Sequence, residues 1–452
     1  MLKTSSKIRC FFIFFGFLLC VITKGFSQKG FFLPNYVKSD KISFKLINNL
    51  VVIPVELNGT HLTFLLDTGV NSTIIFSLSE EDSLKLNNAR FIKLRGLGEG
   101  GSISALKSDK NILKIGKAID VNHSLYVIYD DSFNLSIRMG IPIHGIVGYE
   151  YFKNFIVKTN YITKKITTYN PRNYNQKKCK KCQTFDLIIK ENKPFIKLDI
   201  TSHDKIEEVI LLVDSGSSDS IWLFDQKGYI DENNKNYFED FLGQGISGDI
   251  FGKRSMLTKI KIGDFELNEV KVAFPDKKYL RNTNFYVARN GSIGAEILKR
   301  FTVLIDYPSQ KITLKKNSYF KDPFNYNMSG LTLEHDGVIL VKDKQQGGFN
   351  NSLNINQSNE NNGVVKIPLR TVYNFYLAPR YIVAAIRENS PAALAGIKKG
   401  DEIISVNGKK TYRYKLQELI GLFSSSVGKK IYMNVGTNGV ISRRKFTLKK
   451  VF

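Results

Sequence analysis

The chain contains an internal repeat, and this repeat constrains the fold more than any other feature. When each residue is compared with the one 147 positions later, FLLDTGVNSTIIF, which contains Asp67, falls on LLVDSGSSDSIWLF, which contains Asp214. Paired glycines and a K-I-G turn recur later in both copies at the same spacing. Self-similarity over more than about 100 residues indicates a duplicated domain, although two copies do not make a solenoid.

Each copy consists of short alternating segments rich in Val, Ile, Phe and Tyr, which are separated by Gly, Asn and Asp. One pair of such segments flanks Asn58-Gly59 and predicts a hairpin. Long helical patterns between the segments are missing, so the sequence predicts a mainly β protein and not a doubly wound sheet. We expect two β-barrel lobes, residues 28–172 and 187–318, each long enough to enclose its own core.

Each copy also places a carboxylate at the end of an apolar strand. A single D-T-G or D-S-G is ordinary turn chemistry. Two copies at the same place in a duplicated unit predict that a pseudo-twofold arrangement of the lobes brings Asp67 and Asp214 together. Two carboxylates at close range share one proton, so the ionised member can activate a water while the protonated member donates to a carbonyl. A hydroxyl and a glycine follow each carboxylate: Thr68, Gly69, Ser215 and Gly216.

These residues resemble the aspartic peptidases, specifically the single-chain bacterial retropepsin-like or pepsin-like families, over residues 42–318. The resemblance implies that Asp67 and Asp214 form a catalytic dyad that hydrolyses peptide bonds. It also implies that the hydroxyls of Thr68 and Ser215 bond across to the backbone of the other lobe. No metal, cofactor or covalent nucleophile is needed for this chemistry, and we predict none.

Further elements of the family pattern are present with departures. An apolar-apolar-glycine segment is expected behind each loop; residues 146–148 match it well and residues 292–294 match it less well. Val70 stands where a small residue is usual, and the flap tyrosine of pepsin-like enzymes is missing, which favours the retropepsin-like subtype. These departures leave open an inactive peptide-binding or scaffold protein. The predicted substrate-binding flaps contain Gly96, Gly98, Gly100, Gly243 and Gly245, with ordinary glycine-rich hairpin loops as the alternative.

The last third of the chain, residues 319–452, has a different pattern. An Asn/Gln/Gly-rich insert at about residues 344–366 predicts disorder. SPAALAG and GDEIISVNG then resemble the PDZ domain of exported bacterial proteases, a β-rich fold with two helices. The resemblance implies strand addition of a peptide or protein C-terminus, whose carboxylate is held by loop amides. An ordinary strand start is the alternative for the loop that we assign, which comprises Ser329, Gly330, Leu331 and Thr332.

The N-terminus predicts export. Basic residues precede an apolar run at residues 11–23, and small Ser27 offers a cleavage position, so residues 1–27 have the pattern of a signal peptide. The mature protein is expected in the periplasm or outside the cell, and a lipid-anchored form at Cys20 stays open. Four cysteines in 452 residues are too few for a disulfide scaffold. We expect a local disulfide between Cys179 and Cys182, inside a linker at residues 173–186.

The distribution of charge and the absence of certain motifs limit the remaining classes of function. The chain has 66 Lys and Arg against 41 Asp and Glu, a formal charge of +25. This charge is spread without a basic block, so nucleic acid is not expected as a partner, whereas association with an anionic surface is left open. The expected partners are a peptide or unfolded protein substrate and a PDZ ligand. No metal or serine-nucleophile motif occurs, and surface or turn positions are predicted for His61, His123, His144, His203 and His335.

Overall fold

The computed structural model describes most of the chain. The described residues are 30–76, 84–94, 103–129, 134–175, 178–202, 205–224, 229–230, 236–245, 248–280, 286–344 and 373–451. The predicted signal peptide and most of the predicted disordered insert therefore lie outside the described residues. Among the described residues, none of the helices combines the length and apolar character that crossing a bilayer requires. The architecture is mainly β, as predicted.

The first strand of the described residues is β1 (Ser39–Ser43), which belongs to a central sheet, and lobe 1 follows it. The lobe 1 sheet has the order β2-β3-β4-β9-β5-β8-β7-β6, and an additional pairing of β3 with β7 closes it into a barrel. Its elements are β2 (Lys45–Ile47), β3 (Leu50–Leu57), β4 (Thr60–Leu66), β5 (Thr73–Ile75), β6 (Arg90–Leu94), β7 (Ile103–Ile115), β8 (Ala118–Ile128), α1 (Leu135–Met139), β9 (Gly145–Val147) and α2 (Tyr149–Phe152). The turn between β3 and β4 contains Asn58 and Gly59, with φ of 49° and 90°, the left-handed pair that a tight hairpin needs.

Lobe 2 repeats this topology strand for strand. Its sheet order is β13-β14-β15-β20-β16-β19-β18-β17, and a pairing of β14 with β18 closes the second barrel. Its elements are β13 (Ile188–Lys190), β14 (Lys193–Ser202), β15 (Lys205–Asp214), β16 (Ile221–Leu223), β17 (Phe238–Gly245), β18 (Gly248–Ile262), β19 (Phe265–Pro275), α3 (Lys277–Leu280), β20 (Gly291–Gly294) and α4 (Ala295–Leu298). The duplication read from the sequence is thus a duplication of structure.

A six-stranded central sheet joins the lobes, in the order β1-β11-β10-β21-β22-β12. The additional strands are β10 (Ile156–Asn160), β11 (Lys165–Tyr169), β12 (Cys182–Asp186), β21 (Phe301–Asp306) and β22 (Lys311–Lys316). Strands β10 and β21 pair antiparallel, with Ile156 opposite Asp306 and Asn160 opposite Thr302. Position 302 lies 146 residues after position 156, and position 306 lies 146 residues after position 160. Exchanging equivalent positions of the two lobes therefore turns one of these pairs into the other. The predicted pseudo-twofold axis therefore passes between β10 and β21.

The segment between the lobes differs in part from the predicted linker. Cys179 and Cys182 form the expected local disulfide. The last residues of the predicted linker, Cys182–Asp186, are a strand of the central sheet and pair with β22. They repeat the role of β1, which pairs with β11 at the other edge. The linker prediction is wrong at these residues because an edge strand with few apolar residues carries no strong pattern of its own.

Buried polar groups in lobe 1 correct one further expectation. His123 was predicted at the surface or in a turn, yet its side chain is 1% exposed. Its ring nitrogens lie 2.9 Å from Asp120 Oδ2 and 2.7 Å from Thr73 Oγ1, so both are satisfied inside the protein. Buried polar groups of this kind persist because their hydrogen bonds are made. His123 therefore connects β8 to β5 within the barrel.

The C-terminal domain is a separate sheet with its own apolar core. Its strand order is β23-β24-β25-β27-β28, so β23 is an edge strand. The elements are β23 (Leu331–Lys344), β24 (Tyr373–Ile386), α5 (Pro391–Leu394), β25 (Glu402–Val406), β26 (Lys409–Lys410), α6 (Leu416–Phe423), β27 (Lys430–Thr437) and β28 (Val440–Thr447). Ser390 caps α5 by accepting a hydrogen bond from Ala393 N, and Pro391 begins the helix, as its sequence predicts.

Candidate active site

The structure brings the two repeated carboxylates together where the lobes meet. Asp67 follows β4 and Asp214 ends β15, the equivalent strand of lobe 2. One donor joins them, since the Gly216 N–H lies 3.1 Å from Asp67 Oδ1 and 3.1 Å from Asp214 Oδ1. Each carboxylate also accepts a backbone N–H from its own loop: Asp67 from Gly69 at 2.6 Å, and Asp214 from Ser217 at 3.0 Å. The arrangement is a close pair of carboxyl groups supported by backbone amides.

Reciprocal hydrogen bonds between two hydroxyls and the opposite backbone hold this pair in place. Thr68 Oγ1 accepts from Ser215 N at 3.1 Å and donates to Val213 O at 2.5 Å. Ser215 Oγ accepts from Thr68 N at 3.0 Å and donates to Leu66 O at 2.9 Å. Each hydroxyl thus joins its own lobe to the strand end of the other lobe, the cross-bracing that the family resemblance implies.

The proximity of the two acids changes the ionisation of one of them. Burial raises the pKa of Asp67 well above its usual range, and the charge of the Asp214 carboxylate raises it further. Two ionised carboxylates at this separation repel each other in a medium of low polarity, so the pair holds a proton. Asp67 is 7% exposed, whereas Asp214 is partly exposed. The carboxyl group whose pKa is raised is therefore the more buried one.

Both dyad loops require glycine, because neither has room for a side chain at this position. A Cβ at Gly216 would lie 2.1 Å from Asp67 Oδ2, and a Cβ at Gly69 would lie 2.9 Å from Asp214 Oδ1. Behind the loops, a Cβ at Gly148 would lie 2.3 Å from Asp67 O. At the equivalent Gly294 it would lie 2.2 Å from Asp219 O. The apolar-apolar-glycine segments thus pack directly against the backbone of the dyad loops.

Val70, the departure from the family pattern, packs against an apolar cluster of lobe 1. The Tyr149 N–H donates to Val70 O at 3.0 Å, and the Ala295 N–H donates to Ser217 O at 2.7 Å. Val70 and Ser217 are thus equivalent in the two loops. The fold accommodates the branched side chain at this position within the apolar wall.

A hairpin is present in each lobe at the positions expected for flaps. In lobe 1, β6 and β7 pair antiparallel, and Gly96, Gly98 and Gly100 of the tip fall outside the described residues. In lobe 2, β17 and β18 pair, and Gly243 and Gly245 lie in β17. Gly243 stands beside a register shift and has a φ of 155°. The role of these glycines in substrate binding stays a prediction.

The wall that lobe 1 places beside the dyad is apolar. Leu50, Ile143 and Ile146 belong to a buried apolar cluster that also contains Ala295 of lobe 2. Continuing the β3–β4 pairing by two residues places Leu50 opposite Asp67. Residues opposite each other on paired strands project to the same face. Leu50 is therefore the apolar neighbour of the lobe 1 carboxylate.

The equivalent wall of lobe 2 carries cations, which the sequence reasoning missed. Continuing the β14–β15 pairing by two residues places Lys193 opposite Asp214, the position that Leu50 has in lobe 1. Arg289 stands two residues before Gly291 of β20, as Ile143 stands two residues before Gly145 of β9. Lys193 and Arg289 therefore replace two buried apolar residues of the other lobe.

Two hydrogen bonds in each lobe support this equivalence of Ile143 and Arg289. The next residue is His144 in lobe 1 and Asn290 in lobe 2. The His144 N–H donates to the backbone of β4 at 2.8 Å, and its Nδ1 accepts from the same β4 residue at 3.0 Å. The Asn290 N–H donates to β15 at 2.9 Å, and its Oδ1 accepts from the same β15 residue at 2.8 Å. Arg289 and Ile143 are therefore equivalent positions of the two lobes.

The predicted carboxylate-binding loop of the C-terminal domain lies before and at the start of β23, where Thr332 pairs with Ala385. Its amides already have partners. Asn327 Oδ1 accepts from Ser329 N at 3.0 Å and from Gly330 N at 3.2 Å. Ser329 Oγ accepts from Leu331 N at 3.0 Å. Binding of a peptide carboxylate here stays a prediction, and it would require the loop to exchange these internal bonds.

The C-terminal domain also packs against both lobes. Gln417 of α6 donates to Met139 O at 2.6 Å, and a Cβ at Gly140, which follows α1, would lie 3.0 Å from Leu416. On the lobe 2 side, the Arg387 guanidinium lies 4.1 Å from the ring of Phe238 in β17. The C-terminal domain therefore contacts α1 of lobe 1 and the base of the lobe 2 hairpin.

Two family models match parts of the chain. Residues 53–151, which include Asp67, match the family model for an aspartyl protease, and residues 382–435 match the model for a PDZ domain. The chain contains an aspartyl protease domain and a C-terminal PDZ domain. No curated protein matches the chain. Among solved structures, the aspartic proteinase from Irpex lacteus is similar with a TM-score of 0.43 and 12% identity, over 64% of this chain and 100% of that chain.

Proposed function

We propose that the chain is an aspartic endopeptidase that hydrolyses peptide bonds with a water activated between Asp67 and Asp214. The observation that supports this most directly is the shared Gly216 N–H, 3.1 Å from each carboxylate. Asp67 holds the proton because its pKa is raised, and Asp214 is the ionised base. Asp214 takes a proton from the water as its oxygen bonds to the peptide carbonyl carbon. Asp67 protonates the carbonyl oxygen, which gives a diol. The C–N bond of the diol then breaks as the proton held by Asp214 passes to the leaving amine, and one diol hydroxyl returns a proton to Asp67 as it becomes the carbonyl of the product acid.

Asparagine at either position tests this proposal. We expect Asp67→Asn and Asp214→Asn each to abolish cleavage of a peptide library, because a neutral amide cannot exchange the proton that the pair shares. Statine-containing peptides are expected to inhibit the unmodified protein. Asp186→Asn is the matched control, because the Asp186 side chain is 89% exposed and lies on the central sheet. Full activity in either dyad variant would overturn the proposal.

The alternative is a peptide-binding scaffold with inactive lobes. It predicts that peptides bind the unmodified protein without being cut at any pH. In both cases the PDZ domain supplies a second peptide-binding element, with a free C-terminus as the proposed ligand.

We also propose that the protein is exported to the periplasm or beyond the cell. The basic start and short apolar run support removal of residues 1–27, and a mature N-terminus at a position other than Gln28 would contradict that cleavage site. Removal of residues 1–27 takes four basic and no acidic residues, so the charge of +25 becomes +21. This charge supports association with an anionic surface, but not with nucleic acid, because it is dispersed along the chain.

A further inference from the structure

Strand β23 of the C-terminal domain pairs with β24 on one side, and its other edge has no strand partner among the described residues. Helix α6 lies beside this strand. The Met328 N–H, shortly before β23, donates to Phe423 O at the end of α6 at 3.0 Å, and Leu331 and Leu419 belong to one apolar cluster. A peptide that adds as a strand to the unpaired edge would run along α6. We call this site the PDZ groove.

The other end of the PDZ groove is in contact with lobe 1. Gln417, in the first turn of α6, donates to Met139 O at 2.6 Å. A Cβ at Gly140 would lie 3.0 Å from Leu416 Cβ of α6 and 3.6 Å from His335 Nε2 of β23. Helix α1 itself packs against β23. The α1 turn, by which we mean α1 and the glycine that follows it, therefore touches both sides of the groove at the end remote from the predicted carboxylate-binding loop.

The part of the groove that stays open is short. Strand β23 begins at Leu331, inside the predicted carboxylate-binding loop, and the α1 turn reaches the strand at His335. Only positions 331–334 of β23 precede this contact. Since an added strand pairs residue by residue with the edge that it joins, about four residues of a ligand can lie here. A longer C-terminal segment meets the α1 turn.

The contact between the α1 turn and β23 leaves one polar atom unsatisfied. His335 Nε2 is buried, and none of the described residues gives it a hydrogen-bond partner. Burial lowers the pKa of His335. A buried polar atom without a partner costs roughly 1–3 kcal/mol, and separating the groove from the α1 turn would expose this atom to water. The contact is therefore one that a competing ligand can replace.

Helix α1 also joins the PDZ groove to the peptidase cleft. Ser136 Oγ accepts from Ile143 N at 2.9 Å and donates to Ile143 O at 3.1 Å, and Ile143 belongs to the apolar wall beside the dyad. On the opposite side, Arg138 Nη2 lies 3.0 Å from Asp249 Oδ1 of β18. The Arg138 guanidinium also lies 4.6 Å from the ring of Phe241 in β17. Helix α1 thus bridges the wall of lobe 1 and the hairpin of lobe 2.

We propose that the α1 turn is an internal competitor for the PDZ groove, so that a C-terminal segment longer than about four residues binds only by separating the groove from this turn. The separation removes a support of α1, loosens its bridge to the lobe 2 hairpin and lets substrate enter the cleft more easily. A long C-terminal ligand therefore raises the rate of cleavage. The binding step rests on the free C-terminus proposed above as the PDZ ligand, and the effect on cleavage also rests on the proposed peptidase.

Binding of peptides of two lengths tests the competition. The C-terminal sequence that binds most tightly is selected from a randomised peptide library and synthesised with about four and about eight residues, each with a free and an amidated C-terminus. The peptides are titrated into the full-length Asp214→Asn protein, which is expected not to cut them. The amidated peptides measure binding that does not involve the terminal carboxylate.

The variant added to this protein is Gly140→Asn. Asparagine tolerates the left-handed φ of 66° at this position, but its side chain would crowd Leu416 and weaken the contact with the α1 turn. We expect the longer free peptide to gain at least about tenfold in affinity over the shorter one in Gly140→Asn, which corresponds to ~1.4 kcal/mol, and to gain little when Gly140 is kept. Gly59→Asn is the control, because Gly59 has a φ of 90° and open space around it.

Cleavage of an amidated reporter peptide by the unmodified protein tests the link to the cleft. We expect the longer free peptide to raise kcat/KM for the reporter at least about threefold. Its amidated form competes for the cleft to the same extent but lacks the carboxylate, so it should not raise kcat/KM, and the shorter peptide should not raise it either. Arg138→Met removes the ion pair with Asp249, so it should raise the basal value and remove most of the response.

The two measurements separate this proposal from the proposed function. If the gain in affinity with length is the same with and without Gly140→Asn, or if free and amidated peptides bind equally, the α1 turn does not compete for the groove. If the reporter is cleaved but the longer free peptide acts like its amide, the groove and the cleft are not linked. If the reporter is not cleaved at all, the proposed function fails, and the affinities alone decide whether the α1 turn is a competitor.

Discussion

The two lobes share one topology but differ in the walls that they present to the cleft. Both keep the elements that the dyad needs, namely a strand ending at an aspartate, a hydroxyl that reaches the other lobe and a tightly packed glycine. The walls differ, because lobe 1 has Leu50 and Ile143 where lobe 2 has Lys193 and Arg289. The comparison teaches that the residues that hold the two carboxylates together are kept in both copies, whereas the residues beside the carboxylates have diverged.

The largest effect on stability is expected when a lysine, as found at position 193 of lobe 2, is placed at the equivalent position 50 of lobe 1. Leu50 is 7% exposed in an apolar cluster, so Leu50→Lys would bury an ammonium group without a partner. We expect it to lower the free energy of unfolding by about 3 kcal/mol. The reverse exchange, Lys193→Leu, should be neutral or stabilising by roughly 1 kcal/mol, since a poorly compensated charge is removed. Denaturant unfolding of both variants measures the difference, and equal effects of the two exchanges would show that the walls are equivalent.

The two aspartates offer a second test, because Asp67 is the more buried. Its pKa in the folded protein is raised, first by burial and then by Asp214, so the folded protein binds more protons than the unfolded chain between the unfolded and folded pKa values. The stability contributed by Asp67 is therefore complete below its unfolded pKa and is lost as the pH rises through the folded pKa. Asparagine does not ionise, so Asp67→Asn should avoid this loss.

The measurement is thermal unfolding as a function of pH. Asp67→Asn is expected to raise Tm relative to the unmodified protein at about pH 7 and to change it little at about pH 3, where the native aspartate is protonated in both states. The exposed Asp186→Asn removes the same formal charge and should leave Tm nearly unchanged at both pH values. A Tm shift in Asp67→Asn that is the same at both pH values would contradict a raised pKa.

The sequence was sufficient to predict the duplication and the meeting of the aspartates, because D-T-G and D-S-G follow apolar strands at one constant spacing. The sequence was insufficient to predict that Lys193 lies opposite Asp214. The hairpin that carries Lys193 and Asp214 spans 22 residues, from 193 to 214, whereas the one that carries Leu50 and Asp67 spans 18, from 50 to 67. The lobe 2 hairpin is therefore longer by two residues in each strand, and an equal addition to both strands leaves their pairing unchanged. The constant spacing of 147 therefore places Lys193 beside Leu46 instead of Leu50.

Two polar contacts of the structure could not be predicted from the sequence pattern either. The burial of His123 depends on Asp120 and Thr73, which three-dimensional pairing of β5 and β8 brings together. The internal hydrogen bonds of Asn327 with the loop at Ser329 and Gly330 depend on one side-chain orientation. Neither contact leaves a periodic signal, so local spacing predicts the elements and not these satisfied polar groups.

The smallest expected difference between the lobes concerns the bracing hydroxyls. Thr68 is 1% exposed, and Thr68→Val would leave Ser215 N and Val213 O unpaired where water has little access, at a cost of about 2 kcal/mol. Ser215 is partly exposed, so water can replace part of what Ser215→Ala removes, and we expect a cost of about 1 kcal/mol. Denaturant unfolding with the conservative exchanges Thr68→Ser and Ser215→Thr as controls separates loss of the hydroxyl from loss of packing. If Thr68→Val and Ser215→Ala lower the free energy of unfolding equally, the two bracing hydroxyls are energetically equivalent. The difference between the lobes is then confined to the residues beside the dyad.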